Sequence, residues 1–243
     1  MKKITSVIKN MNYKYFLTEL VIVVVGILIA LSLNSWREDN TNKSREQFYL
    51  KSLKTDFEHS LVSLNEIYNQ NQDSYSAVKN VLEVIGSGGI NLTYDSSKSL
   101  MSKNLFGFNR FVPVSGTYKE IISTGSLQIL NNDELRIALS SWDDMILRNL
   151  QLEDVMFWQY HLINIPYLNR HIARVDFAGK YNLSVQNRKD KTNYRTIFED
   201  VEFENILLNR TGALIEANNY INRMINQVEH IINLINKDLD GEL

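Results

Sequence analysis

The chain has 243 residues, 44% of them hydrophobic and 22% charged, with a formal net charge of -2 and no cysteine. That excludes disulfide scaffolds, thiolate metal sites and cysteine nucleophiles. With no Lys/Arg-rich run, the near-neutral balance also excludes a nucleic-acid surface.

The first element is an apolar run from Tyr15 to Trp36, YFLTELVIVVVGILIALSLNSW. Between Leu20 and Leu33 it holds no charge and a single polar side chain, Ser32. As a helix its 22 residues reach about 33 Å, the hydrocarbon thickness of a bilayer. Tyr13, Tyr15 and Phe16 stand at one end and Trp36 at the other, where an aromatic belt lies. Lys2, Lys3, Lys9 and Lys14 precede the run, and the 207 residues after Trp36 carry a net charge of -5. Arg37, Lys43, Arg45, Lys51 and Lys54 follow it, so basic residues alone do not orient the span. A short basic tail is readily retained and an acidic domain readily translocated. The sequence therefore predicts a cytoplasmic tail over 1–14, a transmembrane helix over 15–36 and an extracytoplasmic helical-bundle domain over 37–243. The predicted location is the inner (cytoplasmic) membrane, single-pass, with the domain in the periplasm.

Two other readings compete for this run. Ala30-Leu31-Ser32 passes as a small-x-small cleavage site, although Glu19 interrupts the start and the run is long for a signal peptide. TELVIVVVGILIA also looks like a pilin-type helix, but Lys14 and Tyr15 stand where that family's processing needs glycine. Within the run Glu19, Gly26, Ala30 and Asn34 fall on one helical face. Gly26-x-x-x-Ala30 is a small-xxx-small pair suited to helix–helix contact.

From Ser44 the pattern turns amphipathic. Leu50, Phe57, Leu64, Asn71, Val78 and Ile85 recur every seven residues, predicting a first long helix that continues from the span and stops at Gly86-Ser87-Gly88-Gly89. Residues 87–130 read as an irregular connection with two short helices. One covers about Ser97–Phe106; the other opens with a capping box, Thr117-x-x-Glu120, and stops at Gly125. A second long helix begins at the cap Asn131/Asn132 and carries Leu135, Trp142, Asn149, Met156 and Ile163, until Pro166 ends or kinks it. Residues 174–195 form a basic connection expected near the membrane. The third long helix, about Asp200–Asp238, has the strictest heptads: Leu207, Leu214, Ile221, Val228 and Ile235, with Phe203, Ala217, Met224 and Ile231 alternating. The predicted fold class is all-α: a transmembrane helix continuing into an antiparallel bundle of three long helices plus short pieces. A parallel coiled-coil dimer through the third helix is the rival. Asn71 and Asn149, both at core positions, are predicted to meet as a buried pair that fixes register.

Chemistry is sparse. His59, His161, His171 and His230 have no metal-ligand spacing. No nucleophile elbow or phosphate loop is present. Asp143 and Asp144 point apart on a helix, leaving Trp142 for the core. Trp158, Tyr160 and His161 suit a pocket or a packed aromatic layer. No catalytic residue, cofactor or metal is predicted, and the chain reads as a non-enzyme.

Three stretches carry a resemblance: ELVIVVVGILIALSLNSW, EQFYLKSLKTDF (Glu46–Phe57) and SGTYKEIISTGSLQILNNDELR (Ser115–Arg136). They resemble an uncharacterised family of single-pass membrane proteins abundant in Bacteroidota, whose anchor reads E-x-x-x-V-x-x-G-I-L-I-A-L and ends in N-x-W. The C-terminal helix closing in LINKDL is also similar. Ser32-Leu33 stands where, in that family, a polar Gln often precedes the asparagine. The resemblance implies an uncleaved anchor and a helical domain, and no activity. The expected role is a membrane-tethered interaction or scaffold protein with the lipid bilayer and a protein partner or second copy as partners, and no nucleic acid. Phe106, Phe108, Phe111 and Tyr118 mark the expected partner surface. The alternative is a periplasmic small-ligand sensor that signals through a partner.

Overall fold

A computed structural model describes residues 13–88, 92–107, 109–176 and 192–241. The tail over 1–12, Phe108 and most of the basic 174–195 connection lie outside the described residues. The fold is all-α, with no strand among the described residues.

Helix α1 runs unbroken from Tyr13 to Gly86, 74 residues, or about 110 Å. Nothing between Trp36 and Ser44 breaks it, since no proline or glycine stands there, and two polar side chains bond back onto the helix. The Thr41 hydroxyl donates to the Arg37 carbonyl at 2.9 Å and the Ser44 hydroxyl to the Asn40 carbonyl at 3.0 Å. Residues 15–45 are exposed and burial begins at Glu46. About 15 Å of bare stem thus separates Trp36 from the floor of the bundle. At the other end Ser87 donates to Glu83 and Gly88 to Ile85, and Gly88 takes φ 83°, a left-handed cap suited to glycine.

After α2 (Tyr94–Ser102) the chain returns down the side of α1 as a strap, pinned to α1 residues at falling numbers. Val114 N–H donates to the Ser60 hydroxyl at 3.3 Å, Thr117 N–H to Asp56 at 2.9 Å, and the Tyr49 hydroxyl to Glu120 at 3.3 Å. Asn131 gives both its backbone and its side-chain N–H to the Glu46 carboxylate, each at 2.6 Å. Within the strap lie α3 (Gly116–Ser123), left-handed Gly125 at φ 67°, and one 3-10 turn, Ser126–Ile129. The expected Thr117 capping box does not form. Ser115 is the N-cap, and Thr117 N–H goes to Asp56 instead.

Because the strap brings the chain back to the level of Glu46, α4 (Asp133–Gln159) starts at the floor and climbs parallel to α1. The Asn132 side chain caps it, accepting from Leu135 N–H at 3.0 Å. Helix α7 (Val201–Asp240), capped by Asp200, then descends antiparallel to both. Asn132 donates to Asp238 at 2.8 Å, Gln227 to the Ala138 carbonyl at 3.0 Å, and Arg148 stands 3.8 Å from Glu216. The expectation of alternating directions is thus corrected for the first two helices. A connection long enough to descend the bundle as a strap permits a parallel pair.

At Pro166, where the sequence predicts an end or a kink, the regular α-helix is interrupted just before the proline. It widens into a π-turn over Tyr160–Asn164, Ile165 N–H bonding the Tyr160 carbonyl, and resumes as α5 (Ile165–His171). The wider turn absorbs the proline's missing N–H and ring bulk.

The core has two large clusters and a small third one between them in sequence, Met156, Leu214 and Ala217. The cluster nearer the apolar stem centres on Trp142, whose ring lies 5.8 Å from Phe57 and 6.1 Å from Phe111. The distal cluster joins the top of α1 to α2, α5, α6 (Tyr194–Phe198) and the start of α7. All nine predicted heptad positions of α7 are buried.

Candidate functional site

The apolar segment of α1 is open on every side. Its most apolar 18-residue window has mean hydropathy 2.7 and is wholly unburied. Glu19, Gly26, Ala30 and Asn34 are all exposed, and a Cβ at Gly26 would touch nothing within 4 Å. Among the described residues there is thus one helix long and apolar enough to cross a membrane.

The aromatics expected on a partner surface lie inside. Phe106, Phe111 and Tyr118 are only 7%, 7% and 4% exposed, and Phe108 falls outside the described residues. Irregular backbone sheltered between helices buries its side chains as a helix does: Phe111 and Tyr118 join the cluster around Trp142, and Phe106 joins the distal one. The Tyr118 hydroxyl is pushed well up by burial and by its bond to Asp143.

Asn71 and Asn149 are both buried, at different heights. The Glu46–Asn131 and Phe57–Trp142 contacts set an offset that levels Asn149 with Leu64. Asn71 then stands about 10 Å higher. The Asn149 amide donates instead to buried Glu153 at 2.6 Å, and the same oxygen accepts Phe111 N–H at 2.8 Å. Burial pushes the Glu153 carboxyl up, against the opposing pull of these donors and of Arg110.

The distal end holds a half-open cavity of about 520 Å³ between the 101–107 loop, the π-turn and α5. Met101, Leu105, Phe106, Ile165, Leu168 and Ile172 supply apolar wall; Ser102, Lys103, Asn104, Tyr160 and Arg174 supply polar groups. Of the three aromatics weighed as a pocket, Tyr160 reaches this cavity, while Trp158 and His161 are exposed. The loop is tightly wound, since a Cβ at Gly107 would collide with the Asn104 side chain.

Behind that loop stands Arg210 of α7, 3% exposed. Its Nε donates to the Leu105 carbonyl at 3.2 Å and a second nitrogen to the Gly107 carbonyl. Burial lowers it to about 10, so it stays cationic at neutral pH. Among the described residues no carboxylate pairs with it. Arg210 fills the heptad position between Phe203 and Ala217, so an arginine on the third helix's apolar stripe was the available signal. Glu153, eleven residues after Trp142, was likewise legible on the core face of α4.

Nearby, Asp176 ties the ends of the basic connection together. It accepts the hydroxyls of Thr192 and of Tyr194, the latter at 3.1 Å, and Thr192 accepts Ala173 N–H at 2.9 Å. Burial alone would raise the Asp176 carboxyl; the hydroxyls of Thr192, Tyr94 and Tyr194 with Lys98 outweigh it and hold it below its ordinary value. The described ends of this connection lie at the end of the bundle far from the apolar segment, contrary to expectation, because α4 climbs. Among the described residues no three His, Asp or Glu side chains converge as a metal set.

A family of unknown function (DUF6090) matches residues 19–164. The chain belongs to this family. No curated protein and no solved structure matches it. The DUF6090 match runs from Glu19 in the apolar segment to the last residue of the π-turn. Glu46–Phe57 and Ser115–Arg136, which carried the resemblance, lie within it and bind each other. Glu46, Tyr49 and Asp56 hold Asn131, Glu120 and Thr117. In this DUF6090 chain the two stretches form one joint, the clamp of strap to stem.

Proposed function

We propose that this chain is a single-pass protein of the cytoplasmic membrane whose helical domain works by binding a partner protein or a second copy, with the domain on the periplasmic side and no catalytic chemistry of its own. One observation carries the reading: an exposed apolar segment continues without a break into the buried core of the bundle. Lateral contacts in the bilayer would therefore be transmitted as rigid motions of the stem. The open Glu19, Gly26, Ala30 and Asn34 face supplies a surface for such a contact. The test is alkaline extraction of membranes, protease protection of the C-terminal domain, and in-membrane cross-linking of the wild type and Gly26→Leu. Retention in the pellet, digestion of the domain by protease added to spheroplasts with protection in inside-out vesicles, and a cross-linked species lost in Gly26→Leu are expected. A soluble full-length chain, or cross-linking unchanged by the substitution, overturns it.

A second reading, a small-ligand sensor passing its signal down the stem, is favoured by the distal cavity. Its polar and apolar lining and its place at the far end of α1 suit a ligand site.

A further inference from the structure

The distal cavity has a consistent electrostatic character. Its apolar wall includes Met101, Phe106, Leu168 and Ile172, Lys103 and Arg174 also line it, and no carboxylate is among its described lining residues. The 101–107 loop also lies against the buried Arg210 guanidinium through the Leu105 and Gly107 carbonyls. A charge in the low-dielectric interior, without a counter-ion, is felt farther than an exposed one. The wall facing Arg210 is thus biased toward negative charge. Part of the remaining wall is a π-turn, a widening that recurs at functional sites.

We propose that this cavity binds a small organic anion with an apolar body, of the monocarboxylate class, its acid group at Lys103 and Arg174 and its apolar part against Met101, Phe106, Leu168 and Ile172. Neutral ligands would forgo the charge-assisted bonds, and cationic ones would meet like charge. Arg210 acts as a positioning residue, holding the loop that carries Lys103 and Phe106. The inference rests on the sensor reading and names its ligand class.

The test uses the full chain in nanodiscs of zwitterionic lipid, with empty nanodiscs as background. Calorimetric titration compares hexanoate, octanoate and decanoate with octanol and octyltrimethylammonium. Saturable binding of at least one carboxylate is expected, with octanol and the ammonium about tenfold or more weaker. The Lys103→Glu/Arg174→Glu double variant should bind that carboxylate about tenfold or more weakly. Leu168→Trp, which fills the cavity, should abolish binding while a circular-dichroism melt confirms the fold. Equal affinity for octanoate and octanol, or binding unchanged in the double variant, overturns the anion class and leaves the sensor reading standing. Binding unchanged in Leu168→Trp places the ligand elsewhere and overturns the site. No saturable binding of any probe overturns both the site and the sensor reading.

Discussion

The two halves of the bundle are built on different principles. In the half nearer the apolar stem, Phe57, Phe111 and Trp142 pack as an aromatic centre. The strap there is stitched to α1 by side chains that accept its backbone N–H groups. The distal half has a buried, unneutralised arginine, a π-turn, an open cavity and a carboxylate held by three hydroxyls. The difference teaches where this chain can change shape at low cost. A filled hydrophobic core resists deformation, whereas polar groups held around a cavity have alternative partners.

The strongest test of that contrast is Trp142→Ala. Removing the centre of the proximal cluster should cost about 3–5 kcal/mol, read as a lowered midpoint in denaturant titration of the full chain in detergent. A loss below 1 kcal/mol would show that the strap, and not the aromatic centre, holds this half.

Arg210→Ala comes next, at about 2–4 kcal/mol, because two loop carbonyls lose their donor and a void opens. Hydrogen exchange should speed up over 94–107 and leave 116–142 protected. Equal acceleration in both regions would make the bundle a single cooperative unit and end the comparison.

Glu46→Ala should cost about 1–3 kcal/mol. It strips both acceptors from Asn131 at the floor, so exchange should rise around 126–135 while the distal cavity is unaffected.

The smallest effects are in pH dependence, and they have opposite signs. Asp176 titrates below its ordinary value of 3.8. Its contribution is present above that pH and fades as pH falls through the folded value, so the deficit of Asp176→Asn should shrink in acid. Glu153 titrates above its ordinary value of 4.5. Its contribution is full below pH 4.5 and is lost as pH rises through the folded value, so Glu153→Gln should lag the wild type most in acid. Urea midpoints between pH 3 and pH 7 measure both.

How much of this was legible depended on whether the cause was local. Residue types and spacing alone determined the apolar span, its continuation into the first bundle helix, the Asn132 cap, the glycine stops and the core stripe of α7. Hydrophobic period, capping chemistry and the conformational freedom of glycine act within a few residues of one another. Only the tertiary structure decided that the 103–131 strap descends α1, and from that follow the parallel course of α4 and the separate heights of Asn71 and Asn149. The buried place of Phe106, Phe111 and Tyr118 and the distal position of the described ends of the 174–195 connection depend on it too. The strap is fixed by single hydrogen bonds between residues 54 to 85 positions apart. Such bonds leave no periodic trace in either partner. Arg210 lies between these cases: its place on the stripe was visible, but its partners are two loop carbonyls, and every residue type carries a carbonyl.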